Sequence, residues 1–92
     1  MPDLLLLRVA AAWPLPGLGL LALPDGPAPH LASYPLHTAL AVLVAGPGGS
    51  PLPTTATVEE VTRTDRTERG LLLDADVAGC ELLPGTEIWL AT

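Results

Sequence analysis

The run Ala10 to Leu23, AAAWPLPGLGLLAL, carries no charge and holds Pro14, Pro16, Gly17 and Gly19. No other stretch narrows the fold as much. A helix crossing a bilayer needs about 20 consecutive apolar residues. Two prolines inside one would each remove a helical hydrogen bond and clash with the preceding turn. An export leader wants a basic start, and this chain opens Met1-Pro2-Asp3, with Arg8 interrupting the apolar run. The segment therefore reads as a bend and not a span. Leu4 to Trp13 forms one strand, Pro14-Leu15-Pro16-Gly17 supplies the turn chemistry, and Leu18 to Leu23 forms the returning strand. Membrane insertion is not expected.

The rest of the chain repeats this pattern of short β-rich runs and loops. Thr38 to Ala45, Thr54 to Thr62, Gly70 to Asp76 and Thr86 to Ala91 are the further strand candidates. Asp25 to Pro35 and Gly46 to Pro53 are Pro- and Gly-rich loops, and RTDRTER, Arg63 to Arg69, is a charged connection. Val77 to Gly85 reads as a compact turn or one helical turn before the last strand. No segment sustains helical periodicity. Open strand edges on so apolar a chain invite aggregation, and closure removes them. The expected fold is all-β: a small closed or nearly closed six-stranded antiparallel barrel, one domain over residues 1–92. Its interior is expected to be aliphatic and narrow, since Phe is absent and Trp13, Tyr34 and Trp89 are the only aromatics.

Charge and cysteine content bound the function. The formal net charge is −6, which repels phosphate backbones and anionic lipid. Lys, Asn and Gln are missing together with Phe, the signature of a GC-rich genome and not of a chemistry. The single cysteine, Cys80, excludes an intramolecular disulfide and fits a reducing cytoplasm.

Two motifs resemble a known module. Trp13-Pro14-Leu15-Pro16-Gly17-Leu18-Gly19 fits an aromatic-x-aliphatic-x-Gly-x-Gly hairpin followed by LLAL, and LLLDADVAGCELLPGTEIWLA carries Val77, Leu82 and Gly85 at the spacing of a closing turn. With the Thr- and Val-rich TTATVEEV between them, the chain resembles the second, β-barrel domain of translational GTPases such as elongation factor Tu. The resemblance implies a translation-protein barrel used for binding and not for catalysis. The chain departs from the pattern in having Leu18 where the family usually has Arg, and Asp76 where a Gly is frequent. A phosphate-binding Gly-x-x-x-x-Gly-Lys loop is impossible without Lys, so GTP hydrolysis is not implied.

No reactive constellation can be assembled from the residues. Asp74 and Asp76 lack the Thr and Gly that hold a paired-aspartate site, and they are read as solvated acids. Cys80 stands beside Glu81 with no base, and Ser50 has no readable triad partners. His30 and His37 lack metal-ligand spacing, so no cofactor or metal is expected. The expected role is a non-enzymatic interaction module that binds a protein partner or a second copy of itself. A translation-factor-like contact with RNA or the ribosome is the alternative. Candidate contacts are Leu18 in the hairpin, His30, Tyr34 and His37 in or beside the Pro-rich loop, and Arg63, Arg66 and Arg69 in the charged connection.

Overall fold

A computed structural model describes residues 4–26, 28–46, 51–62, 65–74 and 82–91. Six strands form from them: β1 (Leu4–Leu15), β2 (Gly19–Pro24), β3 (Ala39–Ala45), β4 (Leu52–Thr62), β5 (Thr67–Leu73) and β6 (Glu87–Leu90). They close an antiparallel barrel in the order β1-β2-β5-β4-β3-β6. The all-β barrel expected from the sequence is the observed fold.

The opening stretch bends as its prolines and glycines require. Leu15 to Leu18 make the turn, with the Leu18 N–H donating to the Leu15 carbonyl at 2.9 Å. Pro16 and Gly17 are its central residues, and Gly17 takes φ 81°. Pro before a positive-φ Gly is type II turn chemistry. The turn lies one residue later than the sequence suggests, because Pro14 stays in the strand opposite Leu20.

Strand β1 serves two neighbours. Leu4–Arg8 pair with β6 and Val9–Leu15 pair with β2. Its register shifts between Leu5 and Leu7 and again between Val9 and Ala11. Such bulges bend a strand and break strict alternation. That is why Leu6 and Leu7, though adjacent, are both buried. The unbroken Leu4–Leu7 run suits a strand that changes partners around a narrow barrel. In β3, in β4 and at the end of β5 burial alternates: Val42 and Val44, Ala56 and Val58, Leu71 and Leu73 point into the core with Ile88.

One long connection crosses a barrel end. In the closed order β2 stands opposite β3, and β5 opposite β6. The β2–β3 connection must therefore pass over the end at which β2 finishes. It carries a four-residue helix, α1 (Pro29–Ala32), with Pro at its start. The Ser33 hydroxyl closes it, donating to the His30 carbonyl at 2.7 Å. Leu31 of α1 is wholly buried in the core and stoppers this end. Tyr34 is half-buried against the same core. The short helix thus sits in a segment that reads as a plain loop. The helical turn expected over Val77 to Gly85 falls mainly on residues outside the described ones; Pro84 and Gly85 form a turn ahead of β6.

The charged connection is shorter than the sequence suggests. Thr67, Glu68 and Arg69 belong to β5, opposite Thr62, Val61 and Glu60. The β-branched Thr67 and the facing Glu60 and Arg69 favour pairing over a loop.

Candidate functional site

The β4–β5 hairpin runs on beyond the point where β2 leaves it. Strand β2 pairs with β5 only from Leu20 to Ala22, opposite Leu73 to Leu71. Pro24 and Gly26 then turn the chain toward α1, and the Asp25 N–H donates to the Arg8 carbonyl at 3.0 Å. A cleft of about 640 Å³ opens between the diverted segment and the start of β5. Ala10, Pro24, Ala28, Pro29 and Ala32 give it a wall of small apolar groups. Arg66, Thr67, Glu68 and Arg69 line the β5 side, and Asp25 adds an acid.

Both arginines of the cleft are held by the chain. Arg66 Nη2 lies 3.2 Å from Glu68 Oε1. Arg69 Nη1 donates to the Tyr34 carbonyl at 3.1 Å, tying β5 to the end of the α1 connection. The guanidinium of Arg69 therefore fixes the wall that Leu31 anchors from the other side.

The candidate contacts separate. Arg66 and Arg69 line the cleft, whereas Tyr34 does not line it and only accepts the Arg69 bond through its carbonyl. His30 is exposed on α1. His37 takes φ 68° in the left-handed region, its N–H donating to the Val58 carbonyl at 2.7 Å. Its exposed ring stands 3.2 Å from Glu59 Oε1. Arg63, Asp76, Cys80 and Ser50 lie outside the described residues. Leu18 is at the other end of the barrel, 63% exposed in the β1–β2 turn, where it borders a shallow groove with Thr57 and Leu72. Since so exposed a side chain carries little packing, Leu18→Arg is expected to leave unfolding free energy within about 0.5 kcal/mol of the native value, checked by denaturant titration.

No known protein family, characterised protein or solved structure matches the chain. The comparisons thus give the translation-factor resemblance no support, and much of its second motif, Val77–Gly85, lies outside the described residues.

Ala10, Pro24, Asp25, Thr67 and Glu68 were not singled out by the sequence. One signal was present: Pro24 followed by Asp25-Gly26 marks where β2 must leave its ladder, since Pro has no N–H to donate. Among the described residues, no three His, Cys, Asp or Glu side chains gather to hold a metal ion, and no helix is long and apolar enough to cross a membrane.

Proposed function

We propose that this barrel is a non-enzymatic module that binds another protein, or a second copy of itself, through the cleft beside α1. The observation that carries the reading is the cleft's construction. Three segments distant in sequence meet there, an apolar wall faces a polar strand, and Leu31 and the Arg69–Tyr34 bond hold the wall in place. A groove that pairs an apolar wall with fixed polar groups suits a segment of a partner chain. A translation-factor-like RNA contact by Arg63, Arg66 and Arg69 has less in its favour. Arg66 and Arg69 are engaged by Glu68 and Tyr34, and the chain is acidic overall.

The test is photocrosslinking in producing cells from an aryl ketone residue placed at the exposed Ala32, with Leu52 at the far end as control. A discrete protein adduct from position 32 and none from position 52 is the expected result. A nuclease-sensitive adduct, or none from position 32, would overturn the reading.

A further inference from the structure

Among the described residues, no strand covers Thr67 of β5 on the side away from β4, and Thr67 lines the cleft. The direction of the main-chain groups along β5 follows from one bond. The Asp74 N–H donates to the Thr55 carbonyl at 3.0 Å, and pairing continues from Ala56↔Leu73 to Thr62↔Thr67. Hydrogen-bonded pairs alternate in an antiparallel ladder. So Asp74, Leu72, Gly70 and Glu68 turn their N–H and C=O toward β4. Leu73, Leu71, Arg69 and Thr67 turn theirs the other way. The β4–β3 side agrees in phase: the Val58 N–H donates to the Thr38 carbonyl, away from β5.

Strand β2 satisfies Leu73 and Leu71 through Leu20 and Ala22. One step further, Pro24 would face Arg69 and has no N–H for its carbonyl. Beyond that the chain has swung away through Asp25 and Gly26. Among the described residues nothing bonds the Thr67 N–H or C=O outside the β4 ladder. These groups border the cleft of about 640 Å³, and a strand added there would lie about 4.8 Å from β5.

From this edge and its apolar wall we infer that the cleft takes an extended peptide segment of the partner, added as a strand alongside β5 at Thr67 and Arg69. The inference rests on the protein-binding reading above and specifies its mode. Strand addition uses main-chain hydrogen bonds for affinity and side-chain pockets for selectivity. Here Ala10, Ala28 and Ala32 leave room for an apolar side chain at alternate positions of the segment.

The test pans a library of random linear peptides against the full chain and studies the tightest selected peptide. Three results are expected. Saturating peptide slows exchange of the Thr67 amide. N-methylation of the peptide weakens binding about tenfold or more at alternate residues only, the loss of one hydrogen bond. Thr67→Pro, which removes a donor that does not face β4, weakens binding by a similar factor and keeps the unfolding transition. Should Thr67→Pro fail to fold, the N-methyl series still decides, since it leaves the chain untouched. A library that yields no binder, N-methyl effects without alternation, or Thr67 exchange unchanged by the peptide would overturn strand addition. The Ala32 adduct separates the two ideas: if it forms while these tests fail, the protein-binding reading stands and its strand mode does not.

Discussion

Gly70→Ala is expected to destabilise the barrel by about 3 kcal/mol, at the upper end of what overpacking costs. A methyl group at Gly70 would lie 2.7 Å from the Ala22 carbonyl oxygen and 3.0 Å from Leu23 Cδ2. The oxygen is the harder obstacle. It belongs to the β2–β5 ladder at the Ala22↔Leu71 pair and cannot move without loosening it. Leu23 is wholly buried, so its side chain has nowhere to go. For a chain of this size the midpoint of thermal unfolding should fall by roughly 10–20 °C. Trimming Leu23 to Ala in the same background should not restore it, because the carbonyl remains. Gly26→Ala gives the contrast: no atom lies within 4 Å of the added methyl, so the loss of unfolded-state freedom should leave stability unchanged or raised by about 0.5 kcal/mol. Scanning calorimetry on the variants checks both signs.

Leu31→Ala is expected to cost about 3 kcal/mol, within the range for removing a buried leucine. Four-residue helices do not hold themselves together. Helix α1 stays on the barrel because Leu31 enters the core and because Arg69 and His37 tie the flanking residues to β5 and β4. Removing the leucine opens a cavity at the barrel end and releases one wall of the cleft. Its exposed neighbour gives the control, with His30→Ala expected to stay within about 0.5 kcal/mol. Equilibrium denaturation of the pair measures the difference. If the two variants lose equal stability, Leu31 is not the stopper.

The barrel itself was legible because its signals are local. Pro16-Gly17 makes a turn wherever it is placed between strands, and β-branched runs such as Thr54 to Thr62 pair readily. The strand boundaries moved by a few residues where pairing partners decided them. Pro14 stays in β1 because its missing N–H falls on the side away from β2. Thr67 to Arg69 join β5 because Glu60 to Thr62 lie opposite. Helix α1 was not legible, since four residues carry no periodicity and Leu31 is one leucine among many. The cleft was half legible. Arg66 and Arg69 stand out in the sequence as charges, whereas Ala10, Pro24 and Ala32 become neighbours only through the crossing of β2 to β3. An unpaired strand edge is a property of the register, and no single residue records it.

The open edge of β5 can be tested without any partner, by amide hydrogen exchange on the free chain. Leu71 and Leu73 share that edge with Thr67 but are covered by β2. Their amides should exchange only through global or near-global opening. The Thr67 amide, on the same strand and the same side, should exchange close to the rate of an unprotected chain. Protection of Thr67 equal to that of Leu71 would contradict the assignment, because another part of the chain would then already occupy the place reserved for the added strand.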